Sequence, residues 1–274
     1  MLEGLTLTGA RVTGGNNTHG GAALVKDGTI SWCCVVSNSI GTANSKYGAG
    51  VAFYQGKGQI DHTIIAHNSV SSGSGTCGGG GVSVFEPFGE VLVDTCLIYG
   101  NTQANGQGGA GVYASFGNYH NRLTVRNTTI ANNEASGSGG GVYVAEYYAA
   151  NKYSFALANS LLADNLSGSE GADPNLALPG DDRIVSGYAA QSFGNLFANG
   201  TPALGADSKG VAGAGASWFV KASNGNYHLP SGSFAVGTGR WYQGIAEDLD
   251  RSRRLKRPAA GCYEAQFCTI MIIR

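Results

Sequence analysis

Hydrophobic residues recur along residues 1–165 with a period of about 30 residues, and each period carries an asparagine at a fixed place. The spacings between successive asparagines are 30, 33, 32 and 32 residues. The asparagines are Asn38, Asn68, Asn101, Asn133 and Asn165. Helical spacing of apolar residues is not sustained in this region, and a repeat of this length is typical of solenoid proteins.

Aligning the periods on the asparagine produces columns of equivalent residues. Three residues before the asparagine stand Val35, Ile65, Ile98, Ile130 and Leu162. Eight residues before it stand Ile30, Ile60, Val93, Val125 and Leu157. Small or polar residues lie between the two apolar columns: Cys33, Thr63, Cys96, Thr128 and Ser160. The pattern predicts a strand, a sharp corner and a second strand in every period.

Glycine-rich stretches open another strand in each period, at residues 20–21, 48–50, 79–81, 109–111 and 139–141. Glycine accounts for 45 of the 274 residues, and tight corners need its access to positive φ. The asparagines can pair their side-chain amides with the next coil to form an internal ladder. These features predict an all-β, right-handed parallel β-helix whose coils stack at about 4.8 Å.

The repeat ends after Asn165, which predicts two regions. Residues 1–165 form the parallel β-helix coils, and residues 166–274 form irregular closing coils and a C-terminal cap. We expect residues 217–266 to cover the open end of the solenoid, because an uncapped β-helix exposes unpaired strand edges.

The repeat motifs, such as Gly139-Gly140-Gly141-Val142 and Ile130-x-x-Asn133, resemble those of right-handed β-helix proteins of bacterial cell surfaces. These include polymorphic outer-membrane adhesins, whose signals are GGA[ILV] and FxxN, and pectate-lyase-like proteins. Here an aliphatic residue replaces the Phe.

The last third of the chain resembles the tail of choice-of-anchor β-helix proteins, which carries NGDYRL, SPAIDAG, DLDGxPR and DIGAYE. The matching stretches are Asn224-Gly225-Asn226-Tyr227-His228-Leu229, Ser233-Phe234-Ala235-Val236-Gly237, Asp248-Leu249-Asp250-Arg251 and Gly261-Cys262-Tyr263-Glu264. The resemblance implies a right-handed β-helix located outside the cell or on its surface.

Charge and hydropathy narrow the choice of partners. The chain has 17 Lys and Arg against 18 Asp and Glu, a net charge of −1, so no long-range field attracts nucleic acid. No apolar run approaches the roughly 20 residues of a membrane span. The chain opens in mid-strand without a visible signal peptide, which indicates an excised piece of a longer protein or a gene fragment.

The six cysteines show no CxxC pairing, which argues against structural zinc. Cys262 and Cys268 could close a short disulfide loop, and free buried thiols are the alternative. The run from Arg251 to Arg257 is the densest charge cluster. It is either a contact for an anion or acidic polysaccharide, or a solvated loop.

Candidate chemistry lies in the column seven residues before each asparagine, which faces outward: Ser31, Asp61, Asp94, Arg126 and Ala158. Asp61 and Asp94 on adjacent coils match the separation of a retaining glycosidase pair. As the resemblance to pectate lyases implies, the same two acids could hold Ca²⁺ against a uronate, with Arg126 as the base. His62 is a further catalytic candidate in the neighbouring corner column. The structural alternative is an Asp94–Arg126 pair across the ladder.

Aromatic residues follow the glycine-led strands and offer stacking surfaces for sugar rings. The glycan-binding candidates are Tyr113, Phe116, Tyr119, Tyr143 and Tyr147. The alternative is that these rings cover the core and the loops.

Three functions remain open at this stage. The first is a secreted or surface β-helix that binds polysaccharide or a host surface without a cofactor. The second is a polysaccharide lyase or glycoside hydrolase using Asp61, Asp94 and Arg126. The third is a structural subunit that self-associates end to end through its first strand and the apolar residues 267–274.

Overall fold

The computed structural model describes residues 1–15, 18–41, 46–71, 77–104, 107–116, 121–145, 154–180, 182–201, 203–242 and 246–265. Within these ranges the chain is a parallel β-solenoid with very little helix, as the repeat predicts.

Each coil contributes short strands that run in the same order. The first coil holds β1 (Leu2–Glu3), β2 (Thr6–Thr8), β3 (Arg11–Val12) and β4 (Thr18–His19). The second holds β5 (Ala23–Ser31), β6 (Cys34–Val36), β7 (Ser39–Ile40) and β8 (Lys46–Tyr47). The third holds β9 (Val51–Asp61), β10 (Ile64–Ala66), β11 (Ser69–Val70) and β12 (Cys77–Gly78).

In later coils a loop divides the longest strand into two. The next three coils hold β13 (Val82–Phe85), β14 (Glu90–Asp94), β15 (Leu97–Tyr99), β16 (Thr102–Gln103), β17 (Val112–Ser115), β18 (Arg122–Arg126), β19 (Thr129–Ala131), β20 (Glu134–Ala135), β21 (Val142–Ala145), β22 (Phe155–Ala158), β23 (Leu161–Ala163) and β24 (Leu166–Ser167). After them come β25 (Leu176–Ala177), helix α1 (Asp182–Gln191), β26 (Leu196–Phe197), β27 (Lys209–Gly210) and two short 3-10 helices at Gly215–Trp218 and Ala222–Asn224.

The strands form sheets of ten, eight, six and three strands, called here the first to fourth sheets. Every pairing between these strands is parallel, with Val93 for example in register with Ile60 and Val125. The aligned apolar columns therefore become continuous rows inside the solenoid. Ile60, Val93 and Val125 are fully buried, as are Ile65 and its equivalents in the next coils.

Left-handed residues turn each coil at three corners. One corner holds the glycine that opens the first sheet, such as Gly79 (φ 72°), where an added Cβ would lie 2.5 Å from the carbonyl oxygen of Val82. The other two corners accept side chains at positive φ. The corner column Trp32, His62, Thr95, Asn127 and Asn159 follows the first sheet, and Ser37, His67, Gly100, Asn132 and Asp164 follow the second.

The asparagines form the predicted internal ladder. Each side-chain amide donates to the Oδ1 of the asparagine in the next coil over 2.8–3.0 Å, and Asn175 extends the ladder beyond Asn165. All are buried, and each Oδ1 from Asn68 to Asn165 also accepts the backbone N–H of the previous asparagine. The ladder therefore provides hydrogen-bond partners for buried backbone N–H groups at this corner of each coil. The left-handed conformation belongs to the residue before each asparagine.

Helix α1 closes the C-terminal end of the solenoid. Tyr188 packs edge-on against Phe155 in the interior cluster, which Leu204 also joins. Strands β25 to β27 continue the sheets as far as Gly210, so parallel pairing extends beyond residue 165.

The described residues of 211–265, called here the flanking segment, lie beside the coils, and the cap predicted for residues 217–266 stays a prediction. The interior cluster contains none of these residues. Instead Trp218, Phe219 and Tyr227 pack on the outer face of the second sheet, in one cluster with Leu97, Ala131, Leu161, Ala163 and Leu196. That outer face is apolar, so covering it removes hydrocarbon from water.

The described cysteines Cys33, Cys34, Cys96 and Cys262 are free thiols. Burial raises the pKa of Cys262 to about 12. Cys268 and the apolar residues 267–274 lie outside the described residues, so disulfide pairing of Cys268 and end-to-end association stay predictions. In the described part of the chain, no helix has the length and apolar character needed to cross a bilayer.

Candidate functional site

The outward column lies at the end of the first sheet's strands, immediately before the corner column. Strand register pairs Ser31 with Asp61, Asp61 with Asp94, Asp94 with Arg126, and Arg126 with Ala158. The structure thus brings the two predicted carboxylates and the arginine onto three adjacent coils, where parallel strands lie about 4.8 Å apart.

Asp94 is the most strongly engaged residue of the column. Its Oδ2 accepts hydrogen bonds from Nε of Arg126 at 2.8 Å and lies 2.7 Å from the Nη2 of the same guanidinium. Its Oδ1 accepts from Asn127 at 2.8 Å and from Thr95 at 3.0 Å. Both oxygens therefore have charged or amide partners within the protein.

Asp61 turns toward its own coil and the preceding one. It accepts hydrogen bonds from the hydroxyl of Ser31 and from Nε2 of Gln59, and Nδ1 of His62 lies 3.2 Å from its Oδ1. Burial alone would raise the pKa of Asp61, but the hydrogen bonds from His62, Ser31 and Gln59 outweigh it and hold the pKa below its usual value. Asp61 is thus ionised at neutral pH.

Arg126 connects the column to the flanking segment. Burial would lower the pKa of its guanidinium, but the carboxylate of Asp94 raises the pKa above its ordinary value. The guanidinium also lies 5.5 Å from the centre of the Tyr242 ring, whose hydroxyl accepts a hydrogen bond from Asn127. Arg126 is therefore a permanent cation held in one place.

His62 occupies a left-handed corner and stacks on Trp32, with ring centres 4.2 Å apart. The guanidinium of Arg251 also lies over Trp32, 4.0 Å from the ring centre. Nε2 of His62 is buried and has no hydrogen-bond partner among the described residues. The His62 side chain is 20% exposed, but its buried Nε2 atom is poorly placed to exchange protons with a substrate.

The environment of the column does not suit the predicted chemistries. A retaining glycosidase needs one carboxyl with a raised pKa to donate a proton, whereas the pKa of Asp61 is lowered and Asp94 is tied to Arg126. A lyase base must lose a proton, and the raised pKa of Arg126 opposes that.

The column does not fit Ca²⁺ either. Calcium takes six to eight oxygen ligands, but both oxygens of Asp94 are already engaged and a guanidinium lies 2.7 Å from one of them. Among the described residues, no group of three or more His, Cys, Asp or Glu could hold a metal ion.

The aromatic candidates fall in three different settings. Tyr113 is 1% exposed and Phe116 is 6% exposed, the latter in the interior cluster, so neither presents its ring to a ligand. Tyr143 is half-buried and lies 6.0 Å from Tyr113 between ring centres. Tyr119 and Tyr147 lie outside the described residues.

Two surface features were not predicted from the sequence. The first is a shallow groove of about 440 Å³ across the outer face of the first sheet, the sheet-face groove. It is lined by Asp27, Gly28, Thr29, Lys57, Gly58, Gln59, Glu90, Leu92, Thr124 and Arg126. The aligned columns already contain this feature, because Thr29, Gln59, Leu92 and Thr124 are in register two residues before the outward column.

The second feature is a cavity of about 810 Å³ lined by Trp241 and the arginine-rich run. The run from Arg251 to Arg257 hinted at it, but nothing in the repeat indicates that Trp241 lies beside these residues. Only the path of the flanking segment brings them together.

No protein-family model matches the chain, and no curated protein sequence is significantly similar to it.

Proposed function

We propose that this protein binds polysaccharide, without chemistry, along the sheet-face groove. The observation that carries the proposal is the row of side chains repeated across four adjacent coils, Thr29, Gln59, Leu92 and Thr124. The row consists of three polar side chains and one aliphatic side chain. A pyranose ring presents both hydroxyl groups and apolar faces, so such a row suits it.

Rigidity supports the proposal. The coils beneath the groove are joined by continuous parallel pairing and by the asparagine ladder. A preformed surface binds with little loss of conformational entropy. A polymer of regular repeat therefore meets a surface that also repeats regularly.

Charges at the groove add specificity. Lys57 pairs with Asp27 at 3.7 Å, and Arg126 with Asp94 at 2.7 Å. Asp27, Lys57 and Arg126 line the groove, where their remaining lone pairs and N–H groups can contact hydroxyl groups of a sugar. The carboxylates needed for catalysis are meanwhile occupied within the protein, which favours binding over cleavage.

We assign the protein, as part of this proposal, to the extracellular space or the cell surface. The resemblance of its repeats to those of bacterial surface β-helix proteins supports that location, as does the availability of polysaccharide there. A host-surface glycan is included in the same ligand class.

The test is a calorimetric binding screen against pectin, alginate, chondroitin and plant glucans. We expect Gln59→Ala/Thr124→Ala to weaken binding of the best polymer on the order of 10-fold, since two polar contacts are lost. Thr102→Ala, at an exposed position of the third sheet, is the matched control and retains affinity.

The same samples are followed for reducing ends and for the absorbance of unsaturated sugar. Steady product formation that is lost in Asp61→Ala or Asp94→Ala would establish an enzyme and contradict the proposal. Absence of binding to every polymer would contradict it as well.

A further inference from the structure

A basic surface lies mostly on the flanking segment, in two cavities of about 810 and 470 Å³ that share Trp241 and Lys256, here the Trp241 groove. Seven of the chain's 17 Lys and Arg residues line it, against the two carboxylates Glu247 and Asp207. The seven are Lys209, Arg240, Arg251, Arg253, Arg254, Lys256 and Arg257. In a chain of net charge −1, this concentration creates a local positive field.

Most of these cations are free to meet a ligand. Within the described ranges, Arg251, Arg253 and Lys256 have no carboxylate at ion-pair distance. Arg254 differs, because its side chain is fully buried and pairs with Glu264 at 3.2 Å. It also donates to the carbonyl oxygen of Gly261 at 2.9 Å. Arg254 therefore anchors the loop, while its neighbours remain exposed.

The loop that carries the arginines is preorganised. Buried Asp248 accepts the backbone N–H groups of Asp250 at 2.9 Å and Ser252 at 2.7 Å, and that of Glu264 at 2.9 Å. Arg251 is further held by the ring of Trp32. The positive groups are consequently fixed before a ligand arrives, which reduces the entropy lost on binding.

Trp241 stands between the two cavities and is 56% exposed. A large exposed indole on a soluble surface is unusual and supplies a flat stacking face. Its neighbour Tyr242 contacts Arg126, which lines the sheet-face groove. Tyr242 therefore lies between one residue of each groove, next to Trp241 in the chain and against Arg126 in space.

We infer that the Trp241 groove binds the anionic groups of an acidic polysaccharide, carboxylate or sulfate, with one sugar ring stacked on Trp241. Guanidinium groups recognise both anions through paired N–H donors. The exposed indole favours a sugar polymer over a simple anion. This inference rests on the proposed function, since it names the chemical class of the polymer that the sheet-face groove is proposed to bind.

The experiment compares matched polymer pairs by calorimetry: polygalacturonate against its methyl ester, and dextran sulfate against dextran. We expect at least one anionic member to bind on the order of 30-fold more tightly than its neutral partner at low salt. The difference should shrink between about 0.01 and 1 M salt, as screening shortens from about 30 to 3 Å. Comparing the two pairs tells carboxylate from sulfate recognition.

Variants assign the effect to the groove. Arg253→Gln/Lys256→Gln should weaken the anionic polymer on the order of 10-fold, whereas Arg11→Gln/Lys221→Gln removes the same charge elsewhere and should leave affinity unchanged. Trp241→Ala should weaken the binding of every polymer. It should also abolish the change in tryptophan fluorescence that polymer binding produces in the parent chain. Circular dichroism checks that each variant is folded.

The outcomes separate the two proposals. Equal affinity for charged and neutral polymers, or no effect of the Arg253/Lys256 variant, overturns this inference and leaves the proposed function standing. No binding to any polymer overturns both. Equally tight binding of DNA or anionic lipid vesicles would contradict the assignment to acidic polysaccharide.

Discussion

The coils and the flanking segment both bury aromatic and aliphatic side chains, but they hold them by different means. In the coils, buried residues such as Val93 meet equivalent residues in the coils above and below, and Asn101 contacts Asn68 and Asn133 through the same atoms. The flanking segment has no such repetition. Its contacts with the coils occur once each and do not repeat from coil to coil. Examples are the backbone N–H of Cys262 donating to Thr129 and the side chain of Asn159 donating to the carbonyl oxygen of Arg240.

This difference separates rigidity from specificity. Repetition creates a stiff and regular surface, since each coil templates the next. Unique chain laid across the repeat creates an irregular surface with concentrated charge. The two candidate grooves follow that division: the sheet-face groove belongs to the coils and the Trp241 groove to the flanking segment.

The largest effect is expected in the middle of the asparagine ladder. The side chain of Asn101 donates to Asn133 and to the carbonyl oxygen of Ile65, and it accepts from the N–H and the amide of Asn68. Asn101→Ala removes four buried hydrogen bonds and leaves their partners unsatisfied, so the free energy of unfolding should fall by about 5 kcal/mol. Denaturant titration measures it.

The matched control is Asn224→Ala, an exposed asparagine of the flanking segment. It should change the free energy of unfolding by no more than about 0.5 kcal/mol. Equal losses in the two variants would mean that the ladder is not the element that stabilises the coils.

The next effect tests the attachment of the flanking segment. Glu264 accepts from Arg254 and from the backbone N–H of Ala259 in a buried site. Glu264→Ala leaves the Arg254 charge buried and unpaired, which should cost about 3 kcal/mol. Hydrogen exchange should accelerate within residues 211–265 and stay unchanged in the coils.

Glu170→Ala, at an exposed position, controls for removal of a carboxylate and should leave exchange unaltered. If Glu264→Ala speeds hydrogen exchange equally throughout the coils, the coils and the flanking segment unfold as one unit and are not held by separate means.

The smallest effect concerns the pH dependence of the coils. His19 is stacked between the rings of Tyr54 and Tyr47, with ring centres 3.9 and 5.2 Å away. Burial, reinforced by the charge of Lys26, lowers the pKa of His19 from 6.5 to about 4. Between these pH values the side chain of His19 is therefore protonated in the unfolded chain and neutral in the folded chain. The free energy of unfolding consequently falls as the pH drops from 6.5 to about 4.

After allowance for solvent screening, His19 should contribute about 1–2 kcal/mol of that loss. His19→Phe keeps a ring in the stack and should remove this contribution, as measured by thermal unfolding at several pH values. The lowered pKa of Asp61 affects stability only at lower pH. Its stabilising effect is present above the unfolded pKa of 3.8 and is lost as the pH falls through the lower pKa of the folded state. If the His19→Phe variant loses as much stability as the parent chain between pH 6.5 and about 4, the role of His19 is contradicted.

Much of the fold was accessible from the sequence because a parallel solenoid repeats its environment. Ile60, Val93 and Val125 occupy one column in the sequence alignment and one buried row in the structure. The column of Asp61, Asp94 and Arg126 was accessible for the same reason. The Asp94–Arg126 pair was accessible too, as the structural alternative, but the bonds of Asp94 to Asn127 and Thr95 were not, since side-chain geometry decides them.

The repeat by itself determined the parallel coils, the buried columns and the asparagine ladder, because each position meets its own equivalent one period away. Only the tertiary structure decided that residues 211–265 lie along the second sheet, that helix α1 closes the interior, and that Trp241 stands among arginines. The contacts that decide this join residues 81 and 133 positions apart with no period, as between Asn159 and Arg240 or Thr129 and Cys262. Such contacts depend on which apolar face remains uncovered once the coils have formed, a property of the folded surface.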